Sequence, residues 1–287
     1  MIPHPKALGA SLATGLTGLS LLALTAPQPA LAGVHCQRSP DGGVLAVSVT
    51  NGTFADLHRA GPAIEVFDSL HPREGCGSGA TVTNTDRIKL FSGEDAAVFI
   101  GLAGGPFAPG LTPDQDGFSE IEWEVSGPGD VELTGGRRPD HFRYMKSGSK
   151  SGLNLNADED ADLDLVVSRE SVEGLDFVTN GGDGPDRIDV IGSPALETYA
   201  IGGPGDDTLI SPPTGSILEG GPGSDRLIGS PTVDLLVPGR GADLVRAGGG
   251  LDDVRLNKDG IRDRVNCGPG DDLTFGADRF DRLTSCK

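Results

Sequence analysis

Residues 202–255 read GGPGDDTLI, SPPTGSILE, GGPGSDRLI, GSPTVDLLV, PGRGADLVR and AGGGLDDVR, which are six consecutive units of nine residues. The eighth position of every unit is leucine or valine. The sixth position is aspartate in five units and Ser216 in the other. A fixed period of this kind indicates that each unit forms the same small piece of structure and stacks on its neighbours.

The residue types within a unit suit a turn that binds a hard cation. Glycine at positions one, two and four permits a sharp turn and leaves no side chain in the way of the backbone. Carbonyl oxygens joined by a carboxylate at position six suit calcium, which takes about six to eight oxygen ligands in a flexible geometry. Imidazole and thiolate groups, which transition metals prefer, are absent from these units.

Positions seven to nine have room for a very short strand with one side chain facing inward. Two units of nine residues then close one coil of eighteen residues. Successive coils stack as parallel strands about 4.8 Å apart. The sequence therefore predicts an all-β solenoid.

The glycine and aspartate pattern resembles the RTX, or haemolysin-type, calcium-binding repeat. GGPGDDTLI and GGPGSDRLI match this repeat in full, and GGDGPDRID at residues 181–189 matches just upstream. The resemblance covers residues 181–255 firmly and the rest of the chain loosely. It implies a right-handed parallel β-roll, a form of β-solenoid, in which several calcium ions lie between stacked turns and order the chain.

The resemblance also implies which atoms would hold calcium. The carboxylates are those at position six on one edge of the roll, namely Asp186, Asp207, Asp225 and Asp243. The main-chain carbonyls are those of the same glycine-rich turns, namely Gly181, Asp183, Gly202, Gly203, Pro204, Gly205, Gly220, Gly221, Pro222, Gly223, Gly239 and Gly241.

The eighteen-residue coil sorts the units between two edges that differ in glycine content. The edge of Asp186, Asp207, Asp225 and Asp243 keeps most of its glycines, and we call it the glycine-rich edge. Its first step, from Asp186 to Asp207, is 21 residues long and predicts a three-residue insertion at 193–198.

On the second edge, proline, serine or valine often stands where a turn needs glycine. Its position-six residues are Ser216, Asp234 and Asp252. We therefore expect calcium to favour the glycine-rich edge, with Asp234 and Asp252 as weaker ligands. Loss of Asp225 is accordingly expected to cost more calcium than loss of Asp252.

The N-terminus has the pattern of a secretory signal peptide. Lys6 precedes an apolar run over 8–25, and Ala-Leu-Ala at 30–32 forms a small-residue cleavage site before Gly33. A membrane anchor is the alternative, but glycine, serine and threonine interrupt the run. The prediction is a signal peptide over 1–32, export of the mature chain, and no membrane span.

The composition is acidic and poor in core-forming residues. The 287 residues carry a formal net charge of −19, include 45 glycines and are 5% aromatic. Such a charge argues against nucleic acid or anionic lipid as a partner. Because carboxylates stacked at each turn repel one another until a cation neutralises them, metal binding and folding are expected to be coupled.

The four cysteines favour disulfides in an exported chain. Three pairings are possible, and the local one, Cys36 with Cys76 and Cys267 with Cys286, is preferred because other pairings would span the repeats. Zinc is the rival interpretation, but no two cysteines lie two to four residues apart.

The regions outside the repeat divide into three parts. Residues 33–80 predict an N-terminal β cap tied by a disulfide, with short strands over 44–49 and 63–67. Residues 81–180 predict degenerate solenoid turns, in which Arg138 replaces a repeat glycine. Residues 256–287 leave the nine-residue phase and predict a terminal cap.

Residues 154–164 form an acidic run. The acidic run is interpreted as a solvated turn between strands, with a weak extra calcium site as the alternative.

The sequence lacks common catalytic motifs. We find no metalloprotease helix, nucleophile elbow or phosphate loop. The predicted function is therefore a secreted calcium-binding protein, not an enzyme, with a structural or cell-surface adhesion role. A solenoid polysaccharide lyase or glycosidase is the alternative.

Overall fold

The computed structural model describes residues 33–50, 52–68, 71–75, 79–104, 121–127, 129–147, 150–155, 165–167, 177–191 and 198–287. The predicted signal peptide, Cys76, the inserted residues 192–197 and most of the acidic run lie outside these ranges. The described residues form strands and turns and no helix. No helix among them is therefore long and apolar enough to cross a membrane.

The described strands are short, and most have three to six residues. In chain order they are Val34–Arg38 (β1), Val44–Val49 (β2), Phe54–Ala60 (β3), Ala63–Asp68 (β4), His71–Gly75 (β5), Arg87–Ser92 (β6), Ala97–Gly101 (β7), Glu122–Ser126 (β8), Asp130–Thr134 (β9), His141–Ser147 (β10), Lys150–Asn154 (β11), Leu165–Val167 (β12), Phe177–Asn180 (β13), Arg187–Asp189 (β14), Thr198–Ile201 (β15), Thr208–Ile210 (β16), Ile217–Pro222 (β17), Arg226–Ile228 (β18), Leu235–Arg240 (β19), Leu244–Arg246 (β20), Asp253–Leu256 (β21), Arg264–Asn266 (β22), Leu273–Phe275 (β23) and Arg282–Thr284 (β24).

These strands form two sheets that are mostly parallel. The 13-strand sheet has the order β1-β2-β6-β8-β12-β11-β10-β14-β16-β18-β20-β22-β24. The 11-strand sheet has the order β23-β21-β19-β17-β15-β13-β9-β7-β3-β4-β5. The expectation of an all-β chain built from parallel strands is confirmed.

Within the repeats, the chain alternates between the two sheets. Leu209 pairs with Leu227 in the 13-strand sheet, and Leu218 pairs with Leu236 in the 11-strand sheet. Each pair is eighteen residues apart, so two nine-residue units make one coil, as the repeat predicts. The strands predicted over 44–49 and 63–67 are also present, as β2 and β4.

Antiparallel pairing is confined to two places among the described strands. At the N-terminal end, β1 pairs with β2, and β4 lies between β3 and β5. In the middle of the 13-strand sheet, β11 lies antiparallel between β10 and β12. The parallel stack resumes where β10 pairs with β14.

In residues 202–255 the core is a column of one aliphatic side chain per nine-residue unit, whereas strands β2–β4 and β6–β9 bury two or three apolar side chains each. The position-eight residues Leu209, Leu218, Leu227, Leu236, Val245 and Val254 are all fully buried. Positions seven and nine on either side point outward. Trp123 and Phe142 fill the interior toward the N-terminal half. The repeats therefore bury little apolar surface per residue, and the turns must supply much of their order.

Residues 256–287 were expected to leave the nine-residue phase, but their aspartates return to the register of the repeat. Strand β22 pairs in parallel with β20, and β24 pairs in parallel with β22. Residues 258–266, 267–275 and 276–284 are again nine-residue units, which follow two extra residues after Arg255. The repeat therefore continues almost to the C-terminus.

The cysteines at the two ends are oxidised. Cys267 and Cys286 form a disulfide across 19 residues, as the local pairing predicts. Cys36 is also disulfide-bonded, while its expected partner, Cys76, lies outside the described residues.

We predict that the aliphatic column limits stability. Leu218→Ala removes a fully buried side chain and is expected to lower the free energy of unfolding by about 2–5 kcal/mol. The matched change Ile217→Ala lies on the outward face of the same strand and should cost clearly less. Urea unfolding of both variants in calcium measures the difference, and equal losses would contradict the assigned register.

Candidate metal centre

The position-six aspartates form a continuous hydrogen-bonded ladder along the glycine-rich edge. The Oδ1 atom of each aspartate accepts the backbone N–H of the aspartate one coil earlier. Asp186 N–H donates to Asp207, Asp207 N–H to Asp225, and Asp225 N–H to Asp243, at 2.7–2.8 Å. The ladder carries the predicted carboxylate ligands and ties each coil to the next.

This ladder is longer than the repeat pattern predicts. At its start, Asp140 N–H donates to Asp186 Oδ1 at 2.7 Å. At its end, Asp243 N–H donates to Asp263 at 3.0 Å, and Asp263 N–H donates to Asp281 at 3.1 Å. Sequence reasoning missed Asp263 and Asp281 because the step from Asp243 is twenty residues.

The second edge carries a shorter ladder of the same kind. Ser216 N–H donates to Asp234 Oδ1 at 2.8 Å, and Asp234 N–H donates to Asp252 at 2.9 Å. Asp252 N–H then donates to Asp272 Oδ1 at 3.1 Å. Asp272 is the sixth residue of CGPGDD, so this motif is the signal that could have identified it.

The other carboxylate oxygen, Oδ2, has no hydrogen-bond partner at six of these aspartates. All six side chains are buried, with at most 3% of the residue surface exposed. The unpartnered and fully buried Oδ2 atoms belong to Asp186, Asp207, Asp225, Asp243, Asp252 and Asp272. A buried acceptor without a donor is costly, and a charged one more so. A proton or a cation at these oxygens would remove that cost.

Burial makes the charged form of these carboxylates unfavourable. It raises the pKa of Asp225 to about 7, and the neighbouring Asp207 and Asp243 carboxylates add to the shift. Burial likewise raises the pKa of Asp186 to about 7 and that of Asp207 to about 6. On the second edge it raises the pKa of Asp252 to about 6. The ladders thus hold carboxylates that need neutralisation at neutral pH.

Main-chain oxygens lie beside the unpartnered carboxylate oxygens at the glycine-rich edge. A Cβ built on Gly202 would lie 2.3 Å from Asp207 Oδ2 and 2.7 Å from the Gly220 carbonyl oxygen. A Cβ built on Gly181 would lie 2.4 Å from Asp186 Oδ2 and 2.6 Å from the Gly202 oxygen. A side chain at Gly181 or Gly202 would therefore collide with these two oxygens, whereas Pro238, Ala247 and Cys267 take position one in the turns of Asp243, Asp252 and Asp272.

The glycines at position two serve a different purpose. Gly203, Gly221 and Gly239 have φ values of 101°, 116° and 99°, in a region that other residues rarely adopt. At position four, Gly205 and Gly241 also have positive φ. Glycines at positions two and four thus give the turn its backbone conformation. Glycine at position one, as at Gly181 and Gly202, leaves space for the carboxylate and carbonyl oxygens.

Several of the predicted carbonyl ligands already accept one backbone hydrogen bond. The Pro204 oxygen accepts the N–H of Gly184, and the Pro222 oxygen accepts the N–H of Gly205. The Gly220 oxygen accepts the N–H of Gly203. A carbonyl oxygen has two lone pairs, so each of these oxygens keeps one for a cation. Asp183 is another predicted carbonyl ligand. Its exposed side chain lies 3.9 Å from Arg137.

Asp234 shows what the same turn looks like when protein groups satisfy the carboxylate. Its Oδ1 also accepts a hydrogen bond from the Ser211 hydroxyl at 2.6 Å. Its Oδ2 accepts the backbone N–H of Ser230 at 2.6 Å. Ser230 stands at position two of the Asp234 unit and Ser211 at position one of the Ser216 unit, so protein donors satisfy both oxygens of Asp234.

Asp140 and Asp281, at the two ends of the long ladder, are also satisfied internally. Asp140 Oδ2 accepts the N–H of Gly136 at 2.7 Å, and Asp281 Oδ2 accepts the N–H of Asp278 at 2.6 Å. In the Asp207 turn, by contrast, the position-two N–H of Gly203 donates to Gly220 instead. In the closed turns a backbone amide within the same unit donates to Oδ2, from position two at Asp140 and Asp234 and from position three at Asp281. The turns whose Oδ2 is unpartnered are the open turns.

The open turns fit a divalent cation that prefers oxygen ligands. Within the described ranges, no three histidine, cysteine, aspartate or glutamate side chains gather into a metal site by themselves. A cation here would therefore take main-chain carbonyls together with one or two carboxylates. Calcium accepts this mixture of ligands.

Comparison with known proteins identifies no relative of this chain. No protein-family model, curated protein or solved structure matches the chain. The resemblance to the RTX repeat thus rests on the repeat residues themselves.

We predict that stability without metal falls as pH rises. The folded-state pKa values of Asp186, Asp207 and Asp225 lie above their ordinary value of 3.8, so the folded chain binds protons more tightly than the unfolded chain. Their contribution is fully present below about pH 4 and is lost as pH rises through 6 to 7. Melting temperatures in chelator between pH 4 and 8 test this. A rising melting temperature over that range would contradict it.

Proposed function

We propose that this chain is a secreted calcium-binding protein, a right-handed β-roll of the RTX type. The observation that supports the proposal most is the row of buried carboxylate oxygens without a protein donor, each beside a stacked turn. Calcium at these turns would neutralise the carboxylates and complete their ligand shells. The open turns, from Asp186 to Asp243 and at Asp252 and Asp272, are the proposed sites.

Calcium suits these turns better than other common cations. The ligands are all oxygen atoms, and transition metals would favour nitrogen or sulfur. Magnesium demands near-octahedral geometry and gives up its waters reluctantly, whereas these turns are dry and shaped by backbone. The flexible coordination of calcium tolerates small differences between successive turns.

Metal binding and folding are coupled in this proposal. Each ladder aspartate bonds to the coil before it, so neutralising one carboxylate stabilises the contact between two coils. The aliphatic column adds only one buried side chain per strand. Calcium therefore contributes a large share of the order of residues 181–284.

An extracellular setting fits both the metal and the cysteines. The disulfide between Cys267 and Cys286 is compatible with an oxidising compartment. Outside cells, a calcium-ordered roll would present two broad outward faces of short strands. We infer a structural or surface-adhesion role for the calcium-loaded roll.

We predict that calcium raises the stability of the mature chain by mass action. Each independent site contributes about 2.7 kcal/mol when free calcium is a hundredfold above its dissociation constant. Circular dichroism melting in calcium, magnesium and chelator measures this. Calcium should raise the melting temperature strongly and magnesium only weakly. An unchanged melting temperature in chelator would refute the coupling.

We predict opposite consequences for two equivalent aspartates. Asp225→Asn removes the charge beside two open turns and should lower the number of calcium ions bound. Asp234→Asn places an amide against the Ser230 N–H and should destabilise the fold by about 1–3 kcal/mol without changing that number. Isothermal titration gives the stoichiometry and urea unfolding gives the stability. Equal stoichiometry in both variants would show that the open turns are not the sites.

A further inference from the structure

One outward face of the 13-strand sheet carries arginines in rows. Strands β14, β16, β18, β20, β22 and β24 each point two side chains outward, at positions seven and nine of their units. The arginines among these positions, which we call the arginine strip, are Arg187, Arg226, Arg246, Arg264 and Arg282. Arg226 is half-buried and the other four are exposed.

The strip is almost free of carboxylates. Among the outward positions of these six strands, Asp189 is the one acidic residue, and it lies 3.5 Å from Arg187. The other four arginines form no ion pair with any residue that the structure describes. Four guanidinium groups thus lie together without counter-charges from the described chain.

Several cations elsewhere on the described surface are paired. On the N-terminal part of the same sheet, Arg87 bonds to Glu122 and Lys89 lies 3.0 Å from Glu124. On the 11-strand sheet, Arg255 lies 2.8 Å from Asp253. Cross-strand pairing of opposite charges is the usual stabilising arrangement. Arg143, Arg240 and Arg262 also form no ion pair with a described residue, so the strip is distinguished by the grouping of four such arginines on one sheet face.

Like charges even face one another across neighbouring strands. Arg264 and Arg282 are direct register partners on β22 and β24. Such an arrangement destabilises a sheet unless an anion lies between the charges. The chain has 42 acidic residues, so carboxylates to pair with this face are plentiful in the sequence. Their absence from the strip leaves this face open to an anionic ligand.

The shape of the strip fits one extended chain. Six parallel strands span about 24 Å along the stack, and positions seven and nine lie about 7 Å apart across it. Guanidinium groups bind carboxylates and sulfates through paired hydrogen bonds with matched geometry. We propose that the arginine strip binds a linear acidic polysaccharide, a polyuronate, that runs along the stack.

The surroundings of the strip favour a narrow linear ligand over a broad anionic surface such as a membrane. The exposed carboxylate of Asp206 and the half-buried carboxylate of Asp259 lie in the turns at the glycine-rich edge. A membrane surface that covered the face would meet these acidic turns as well. None of the outward positions of the six strands is aromatic, so the strip offers no platform for stacking nucleic-acid bases.

The test is a titration of the mature chain in calcium with a short galacturonate oligosaccharide, at low and high salt. We expect binding that weakens with salt. The triple variant Arg226→Gln, Arg264→Gln and Arg282→Gln should bind roughly tenfold more weakly, since each exposed ion pair contributes modestly. The matched triple variant Arg87→Gln, Arg240→Gln and Arg255→Gln removes the same charge elsewhere and should bind as the parent does.

Parallel titrations identify the ligand class. Neutral dextran should not bind, and single-stranded DNA and vesicles with anionic lipid should bind more weakly than the oligosaccharide. The proposal is overturned if galacturonate does not bind, if both triple variants lose affinity equally, or if DNA or vesicles bind more tightly. Circular dichroism of each variant confirms that it is folded. Since both variants keep every ladder aspartate, a failure of this proposal is separable from a failure of calcium binding.

Discussion

The structure depends on carboxylates that are buried at the turns and shared between coils. Each ladder aspartate uses one oxygen to accept the amide of the coil before it, and this bond fixes the spacing of the stack. The second oxygen is then left inside the turn, where burial raises the pKa of Asp225 and of its neighbours. Neutralising those second oxygens removes a cost that burial of a charged carboxylate carries, and we propose that calcium does so.

The repeat residues made much of this predictable. Leucine or valine at position eight and aspartate at position six define the inward and turn positions, and both roles follow from a period of nine. The pairing of Leu209 with Leu227 and the 18-residue step from Asp207 to Asp225 both agree with that period. The sequence predicts that glycine at position one leaves space. It does not predict which carboxylate and carbonyl oxygens lie beside Gly181 and Gly202.

Other features depend on local geometry that the nine-residue sequence pattern does not determine. Two extra residues after Arg255 hid the return of the repeat, so Asp263, Asp272 and Asp281 were not expected in the ladders. Asp234 matches the repeat as well as Asp252 does, yet only Asp234 is satisfied by serine and backbone donors. Whether a backbone amide of the same unit donates to Oδ2 distinguishes these two states, and residue type alone does not determine it.

Edges and faces of the roll thus have separate chemistry. The edges contain inward carboxylates and backbone oxygens, whereas the 13-strand face displays arginines that ladder aspartates cannot reach.

The most direct test of the account is a crystal structure of the mature chain grown with calcium, with anomalous data. The account predicts a calcium peak beside Oδ2 of Asp207 and of Asp225 and none beside Asp234. Turns at Asp207 and Asp225 that contain only water, or no density at all, would contradict it.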